Sequence, residues 1–472
     1  MVQMKQPRHE TLTLDKIVGG GQALGALEDG RKMFVWGGLP GETITARVTK
    51  KKSKMLEGIV TEIHTTSLKR VAPLDPDSYL STSPWQIMDF DTEQFYKAAL
   101  IEEAFELHNI VLPNPIEVYT DNRTSHYRNK VEFSWYSDLV DGEETLDLAF
   151  FRRGGMGKIK VSECALLPET MVQLAHEIRD LLHAKGVQAR SLKTLLIRCD
   201  QQGSCVWQLY LKEKLNDLVT ESEAMQLSAK GGELIYSDPR SPASRITERL
   251  AAYGDIVLTD TILDVPFRYA TEGFFQVNIP VYERALQDMK VWVANESSAD
   301  EKQFTARADL PARSEAVSSQ EVVSLPKSST PKRVIDLYSG VGSIGLTIGG
   351  DNVTLVEINE DAVREMRRNI TALGREDTAT AILAPSEKAL DTITSDAIII
   401  LDPPRAGLHA DVIAKLLEAA PERIIYLSCN PVTQARDVEL LAELYGVRHH
   451  IGYNFFPRTP HIEHLIVLDK RP

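Results

Sequence analysis

Cysteine is scarce in this chain, which has four in 472 residues. A protein of this size held together by disulfides would need many more, so we expect a reducing compartment. Long apolar runs are also missing, because stretches such as 398–401 are far shorter than the roughly 20 residues that span a bilayer. The first residues, Met1 to Glu10, lack the plan of a secretory signal. The sequence therefore predicts a folded cytoplasmic protein with no membrane-bound part.

An excess of positive charge is lacking as well. The chain has 53 Lys and Arg against 67 Asp and Glu, a net charge of −14, which taken alone argues against a nucleic-acid partner. Residues 1–70 differ from this average, since their basic residues outnumber their acidic ones and include a lysine cluster at 50–54. Such a basic head could bind a polyanion locally, and the alternative is a solvated lysine-rich loop.

The length predicts two to four domains, each with a core of its own. In the first part of the chain, Thr43 to Thr49 alternate apolar and polar side chains between glycine-rich turns, which indicates a small β-barrel of a kind that often binds nucleic acid. A helix at 92–107 is expected to pack on the C-terminal domain. We divide the chain into a barrel at 1–70, a central α+β domain at 71–265, and a C-terminal domain at 266–472 with a flexible insert at 297–332.

The C-terminal domain shows strand, glycine turn, helix and strand in quick succession, which predicts a doubly wound parallel sheet. A buried strand at 334–338 leads into a Gly-x-Gly-x-x-Gly turn that starts at Gly340. Glu357 ends the next strand, where a carboxylate can accept hydrogen bonds from both ribose hydroxyls of an adenosine. The glycine pattern alone also fits a nicotinamide-dependent oxidoreductase. With its acid ahead of the turn, however, Asp336–Gly342 is similar to the first motif of class I S-adenosylmethionine-dependent methyltransferases.

Two later strands end in residues that carry chemistry. The apolar strand at 397–401 breaks at Asp402-Pro-Pro-Arg405, and the strand at 423–427 breaks at Ser428-Cys-Asn-Pro431, because proline cannot continue a central ladder. Ligands of open α/β sheets bind at the carboxyl ends of the strands, where Asp402 and Cys429 are placed. A lone cysteine after an apolar strand is otherwise most often an inert core residue.

These two motifs resemble the RNA uracil-5 methyltransferase family, whose bacterial members act on 23S rRNA or tRNA. Further marks of the family are Gly273–Asn278, Phe456–Glu463 and the central segment Tyr127–Lys130, and residues 1–70 look like its TRAM barrel. The resemblance implies an α/β protein with a class I methyltransferase sheet at the C-terminus, a TRAM-like β-barrel at the N-terminus and a central α+β domain.

The resemblance also implies a mechanism in which a thiolate adds to C6 of uracil and makes C5 nucleophilic enough to take a methyl group. Cys429 matches the nucleophile, and Glu463 matches the base that removes the C5 proton. From the residues alone, Glu463 could also be a surface charge, Gln276 a packing amide, and Asp402 a contact of either uracil or cofactor. The positions that match the family's cofactor contacts are Gln276, Tyr338, Gly340, Glu357 and Asp402.

The sequence departs from the family where many relatives hold a four-iron, four-sulfur cluster with three cysteines after the barrel and a fourth in the central domain. The segment 73–86 has no cysteine, and Cys164 alone matches a ligand, so we expect no cluster and no bound metal. Cys199 and Cys205 could be read with Cys164 as a metal site, but their irregular spacing and the missing fourth ligand favour buried thiols.

We therefore expect an S-adenosylmethionine-dependent enzyme that methylates C5 of a uridine in RNA, with 23S rRNA as the leading substrate and the T-loop uridine of tRNA as the alternative. Base extrusion from an RNA loop would expose C5 and C6. RNA is the expected partner, without an obligate protein partner, and the chain is expected to be a monomer. The competing functions are a non-catalytic RNA-binding protein and an NAD-dependent oxidoreductase.

Overall fold

The structure is a computed structural model that describes residues 8–294 and 333–472. The insert predicted at 297–332 lies outside the described residues. Within the described ranges, no helix is long and apolar enough to cross a membrane.

The N-terminal strands close into a five-stranded barrel in the order β1-β2-β3-β5-β4. The alternation around Thr43 produces it, because Ile44 and Ala46 are fully buried inside the barrel while their neighbours remain partly exposed. Trp85 and Met88, from the segment that follows, complete the barrel core. The strands are β1 (His9–Ile17), β2 (Ala23–Ala26), β3 (Lys32–Trp36), β4 (Thr43–Lys51) and β5 (Met55–Thr65).

The middle of the chain forms a seven-stranded sheet in the order β11-β10-β7-β12-β13-β14-β15. Cys199 and Cys205 lie directly opposite each other on two of its antiparallel strands, and both are buried. The strands are β7 (Lys130–Tyr136), β10 (Asp147–Phe151), β11 (Lys158–Lys160), β12 (Leu192–Cys199), β13 (Cys205–Leu211), β14 (Gly231–Tyr236) and β15 (Glu248–Gly254), with the small hairpin β8 (Leu139–Val140) and β9 (Glu143–Glu144) at one side.

An eight-stranded sheet organises the C-terminal part, in the order β20-β19-β18-β21-β22-β24-β23-β6. The five strands from β20 to β22 are parallel, and β24 runs antiparallel to both β22 and β23. The strands are β6 (Val118–Tyr119), β18 (Arg333–Leu337), β19 (Val353–Glu357), β20 (Ala379–Leu383), β21 (Ala397–Leu401), β22 (Arg423–Ser428), β23 (Tyr445–Tyr453) and β24 (Glu463–Lys470). This is the doubly wound α/β sheet that the glycine turn and the apolar strands predicted.

Hydrophobic cores cover both faces of this sheet, which explains why β21 is apolar at every position. A hairpin of β16 (Leu258–Ile262) and β17 (Val265–Tyr269) packs into one of these cores. The helices in the described residues are α1 (Tyr79–Thr82), α2 (Phe90–Glu106), α3 (Glu169–Ala184), α4 (Glu221–Ala224), α5 (Ile279–Val293), α6 (Ser343–Ile348), α7 (Glu360–Ala372), α8 (Ala410–Ala419) and α9 (Pro431–Leu441).

Helix α2 lies outside the sheet but contacts α9 and β23. Asp89 caps its start by accepting a hydrogen bond from the Thr92 amide at 2.7 Å. Its buried face differs from the apolar pattern in the sequence, because Lys97 is fully buried while Phe95 is 66% exposed. The helix therefore buries a polar contact beside the apolar side chains of Ile101 and Phe105.

The strand order reverses at β18, which has β19 on one side and β21 on the other. A sheet of this kind opens a crevice at the carboxyl ends of the strands beside such a switch point. Several of the predicted site residues lie in the turns after β18, β21 and β22, at this end of the sheet.

Candidate active site

Asp402, Cys429 and Glu463 meet at one edge of the C-terminal sheet. Asp402 follows β21 and Cys429 follows the parallel neighbour β22, so both lie at the carboxyl edge. Glu463 is the first residue of β24, which runs antiparallel to β22 with His464 opposite Ser428. The antiparallel direction brings the start of β24 to the same edge. The structure thus places a thiol and two carboxyl groups together.

Cys429 is the one cysteine of the described residues that is not fully buried. Burial raises the pKa of its thiol to about 11, and the neighbouring Glu463 and Asp402 carboxyls raise it as well. The Arg405 guanidinium acts in the opposite direction, because it is a cation beside the sulfur and donates a hydrogen bond to it. The thiolate therefore depends on nearby positive charge.

Glu463 is 5% exposed, and burial raises its pKa well above the ordinary value, with a further increase from Asp402 and a decrease from Arg405. Burial likewise raises the pKa of Asp402 to about 7. Two weakly acidic carboxyl groups beside a thiol suit proton transfer near neutral pH.

Arg405 is a site residue to which the sequence assigned no role. Its Nη2 lies 3.2 Å from Nδ1 of His461, and its carbonyl accepts hydrogen bonds from Nδ2 of Asn430 at 2.9 Å and Oγ1 of Thr433 at 3.2 Å. These contacts tie the turn after β21 to the turn after β22. The sequence could have identified Arg405 as a site residue, because it ends the motif that begins at Asp402.

The glycine turn after β18 is held in an unusual backbone conformation. Tyr338 has φ +66° and Gly340 has φ +57°, and the Gly340 amide donates to Oε2 of Glu357 at 2.9 Å. The other oxygen of Glu357 accepts from the Asn359 amide at 2.8 Å. A left-handed conformation is easy for glycine and rare for tyrosine. Backbone strain of this kind is typical of functional sites. The structure places Gly340, two residues after Tyr338, in contact with Glu357.

Beneath this turn lies a buried carboxyl group with an unused oxygen. Oδ2 of Asp336 accepts from the Gly345 amide at 2.9 Å, whereas Oδ1 has no partner in the described residues. Burial raises the pKa of Asp336 to about 8. An unpaired buried polar atom is costly unless a ligand satisfies it.

The loop between β17 and α5, residues 270–278, carries Gln276, which is 8% exposed. The same loop ends at Asn278, a fully buried side chain whose amide nitrogen and oxygen both lack partners in the described residues. Asn278 occupies the capping position of α5 without forming a cap. Asn278 ends the sequence motif 273–278, which assigned it no role, and its unpaired amide is available to a ligand or to a water.

Helix α2 holds the loop that precedes Glu463. Nζ of Lys97 donates to the carbonyls of Phe456 at 3.0 Å and His461 at 2.8 Å, and also to the Asn454 side chain. Its counter-ion is Glu93, at 3.3 Å and equally buried. Burial lowers the pKa of Lys97 to about 8. No apolar pattern in the sequence could have found this pair.

Hydrogen bonds fill the region where relatives would place cluster ligands. The Asp75 carboxylate accepts from the Ala165 amide at 2.9 Å and from Nε2 of Gln86 at 2.8 Å, and the same nitrogen donates to Ser83 at 2.7 Å. Cys164 is buried beside them, and burial raises its pKa to about 11. The part of the chain that the structure describes contains no group of three or more His, Cys, Asp and Glu residues arranged to hold a metal.

Comparisons with known proteins find RNA methyltransferases that are similar to this chain. Residues 334–471 match the family model of the tRNA (uracil-5-)-methyltransferases. An uncharacterized RNA methyltransferase of Nitratidesulfovibrio vulgaris is 25% identical and covers 98% of this chain and 96% of its own length. One from Enterococcus faecalis is also 25% identical, over 93% of this chain and 92% of its own.

Among solved structures, the tRNA (uracil-54, C5)-methyltransferase of Pyrococcus abyssi, in complex with S-adenosyl-L-homocysteine, superposes with a TM-score of 0.72. The match is 20% identical and covers 97% of this chain and all of that one, so it shows the fold from the barrel to the last strand. The expected architecture is thereby confirmed. The family model over residues 334–471 and the full-length relatives named as RNA methyltransferases show that this chain is similar to the RNA (uracil-5-)-methyltransferases.

Proposed function

We propose that this enzyme transfers a methyl group from S-adenosylmethionine to C5 of a uridine in RNA, with Cys429 as nucleophile and Glu463 as proton acceptor. The observation that carries the proposal is the grouping of Cys429, Glu463, Asp402 and Arg405 at one sheet edge. Neither a nicotinamide-dependent hydride transfer nor simple RNA binding needs a thiol beside a basic carboxylate.

The groups around the glycine turn fit S-adenosylmethionine. The Glu357 carboxylate, oriented by two backbone amides, suits the ribose hydroxyls, and the turn at Gly340 lets a ligand approach the backbone. The unpaired polar atoms of Asp336 and Asn278 are available to a polar ligand such as the amino acid part of the cofactor. When bound, the cofactor supplies an electrophilic methyl group on a sulfonium cation.

Cys429 begins the reaction by adding its thiolate to C6 of the extruded uracil. The S–C6 bond forms while the electrons of the C5–C6 double bond move toward O4, and C5 becomes the nucleophile that takes the methyl group. The Arg405 guanidinium promotes this step, because it lowers the pKa of the Cys429 thiol against the opposing effects of burial and two carboxyl groups.

Glu463 completes the reaction. Once C5 is methylated, the carboxylate removes the C5 proton, the double bond re-forms and the S–C6 bond breaks, which restores the thiolate of Cys429. Burial raises the pKa of Glu463 well above that of an ordinary carboxyl, and this raised basicity is what the proton transfer requires. The loop from Asn454 to His461, held by Lys97, fixes the approach to Glu463.

We propose 23S rRNA as the leading substrate and the T-loop uridine of tRNA as the second candidate. The lead rests on the TRAM-like barrel, which favours rRNA. The tRNA enzyme from P. abyssi matches this chain over 97% of its length, however, so the barrel is equally compatible with tRNA. The family model that matches residues 334–471 also bears a tRNA name, which supports the second candidate.

Mapping 5-methyluridine in total RNA from a strain that lacks this gene separates the two substrates. Loss of the modified nucleotide from 23S rRNA supports the lead, and loss from tRNA alone supports the second candidate. Complementation with Cys429→Ala should fail to restore the modification, while complementation with the wild-type gene should restore it. Full restoration by Cys429→Ala would contradict the mechanism.

A further inference from the structure

The 270–278 loop is anchored to the glycine turn at both ends. Before the loop, Asn369 accepts a hydrogen bond from the Arg268 amide at 2.9 Å and donates to the Val341 carbonyl at 3.2 Å. After it, the Tyr282 hydroxyl lies 2.9 Å from Oγ of Ser343, the first residue of α6. These contacts hold the two ends of the loop. The middle of the loop, which leads to Gln276 and Asn278, needs contacts of its own.

A single buried guanidinium from the central sheet holds that middle part. Arg198, on β12, is 1% exposed, and its Nη1 donates to the Gly273 carbonyl at 2.7 Å and the Ala270 carbonyl at 3.4 Å. Its Nη2 donates to the Phe275 carbonyl at 3.3 Å. The Ala270 carbonyl also accepts from the Gly273 amide at 3.0 Å, so the carbonyls of Gly273 and Phe275 are the two that rely on Arg198. Buried carbonyls without a donor are costly.

The aromatic rings of Tyr269 and Phe275 stack beside the Arg198 guanidinium. The Arg198 guanidinium lies 5.2 Å from the ring centre of Tyr269, and Tyr269 stacks on Phe275 with ring centres 4.1 Å apart. The Tyr269 hydroxyl donates to Asp260 at 2.6 Å, so the ring cannot turn freely. A flat cation between a fixed ring and three carbonyls is a position for which lysine is no substitute.

Neighbouring strands of the central sheet hold the loop at two further points. Nδ2 of Asn129 donates to the Gln276 carbonyl at 3.1 Å. Nε2 of Gln208 donates to the Glu272 carboxylate at 2.8 Å, and Arg249 binds that carboxylate as well. The central domain therefore contacts the loop along most of its length.

We propose that Arg198 is a positioning residue for the methyl-donor site, and that the central domain acts on catalysis by fixing the 270–278 loop through it. This inference rests on the proposed function, since it takes Gln276 and Asn278 as contacts of S-adenosylmethionine. Arg198 itself touches the loop backbone and not the reacting atoms. Its removal should therefore weaken cofactor binding and raise the KM for the cofactor more than it lowers kcat.

The test measures binding of S-adenosylhomocysteine by calorimetry for the full chain and for Arg198→Lys, together with the melting temperature of each protein without ligand. The lysine keeps the charge but not the forked geometry, and we expect binding to weaken about tenfold or more, since hydrogen bonds from charged donors contribute at this level. The matched control is Lys193→Gln. Lys193 lies on the same strand and donates to Asp238 and Ser241 of a different loop, so it tests for general damage to the sheet.

Weaker binding by Arg198→Lys with wild-type binding by Lys193→Gln supports the inference. Wild-type binding by Arg198→Lys overturns it. It is also overturned if both variants bind more weakly and the loss of affinity is in proportion to the fall in melting temperature. If Arg198→Lys does not fold, Asn129→Ala is measured in its place, because it removes one hydrogen bond from the central domain to the same loop. Unchanged binding by a folded Asn129→Ala protein then overturns the inference. Failure of the wild-type chain to bind S-adenosylhomocysteine instead contradicts the proposed function itself.

Discussion

The charge balance around one sulfur atom governs this site at the scale of single residues. Cys429, Glu463 and Asp402 all have raised pKa values because they are buried together, and Arg405 is the cation beside them. The raised pKa values reduce the negative charge that the group carries. A polyanionic RNA can approach such a site without strong repulsion, and the cationic cofactor would favour ionisation once bound.

Alkylation of Cys429 should show this balance directly. Because the pKa of the thiol is raised to about 11, the rate of reaction with iodoacetamide should rise about tenfold per pH unit through the alkaline range. Arg405→Gln removes the cation that favours the thiolate and should slow the reaction at every pH. Peptide mass spectrometry follows the modification, and the other three cysteines are buried. A profile that levels off near neutral pH, or one that Arg405→Gln leaves unchanged, would show that the sulfur is ionised by another route.

Glu463→Gln should separate the two halves of the reaction. The amide cannot take the C5 proton, so addition and methylation proceed while release of the sulfur stops, and turnover should fall about 10²- to 10⁴-fold. A complex between protein and methylated RNA that survives denaturing electrophoresis should accumulate. Glu443→Gln, at an exposed position, is the matched control. If Glu463→Gln forms no such complex and Cys429→Ala does, the assigned roles are wrong.

At the scale of elements, helix α2 and the loop before β24 act as one unit. The buried Lys97 and Glu93 pair with each other and bind the backbone of the loop that leads to Glu463. The sequence predicted this helix to within two residues at each end. Its apolar pattern includes Ile101 and Phe105, which are buried, and also Phe95, which is 66% exposed. It gave no sign that Lys97 lies on the buried face.

Lys97→Met should destabilise the protein and disturb the loop together. The change removes the nearer cation of the buried Glu93 and leaves it only Arg458, whose Nη1 lies 3.7 Å from Oε2. The loss of unfolding free energy should therefore stay below the about 3–5 kcal/mol that is typical when a buried ion pair is broken outright. RNA methylation should fall, while binding of S-adenosylhomocysteine should persist because the loop from Asn454 to His461 carries none of the proposed cofactor contacts. Urea denaturation and calorimetry measure the two effects. The double variant Lys97→Met/Glu93→Gln should recover part of the stability, and a further decrease there would argue against the pair.

At the scale of the whole molecule, charge is divided between a basic barrel and an acidic remainder. Lys51, Lys52 and Lys54 are exposed at the end of β4 and in the turn that follows it, whereas Lys50 pairs with Glu57 at 3.2 Å. Exposed lysines free of carboxylates can bind phosphates and release counterions from RNA. The net charge of −14 therefore does not exclude RNA as a partner.

Replacing Lys51, Lys52 and Lys54 with glutamine should weaken RNA binding and reduce its salt dependence, by about one unit of slope for each phosphate that is no longer neutralised. Binding of S-adenosylhomocysteine should not change. Filter binding over a range of salt concentrations measures the slope. The control removes three cations of the central domain, Arg179, Lys185 and Lys214, which pair with acidic neighbours. Equal effects of the two triple variants would mean that the barrel has no special part in binding.

The sequence by itself determined the doubly wound sheet and placed Glu357, Asp402 and Cys429 at strand ends. Apolar runs and the prolines and glycines that stop them are local signals, and the carboxyl ends of parallel strands meet at one edge. The tertiary structure alone decided that Lys97 and Arg198 lie buried against the loops that carry Glu463 and Gln276. Those contacts join residues far apart in the chain, and a buried charge is stable only where distant carbonyls and carboxylates surround it, which no local pattern records.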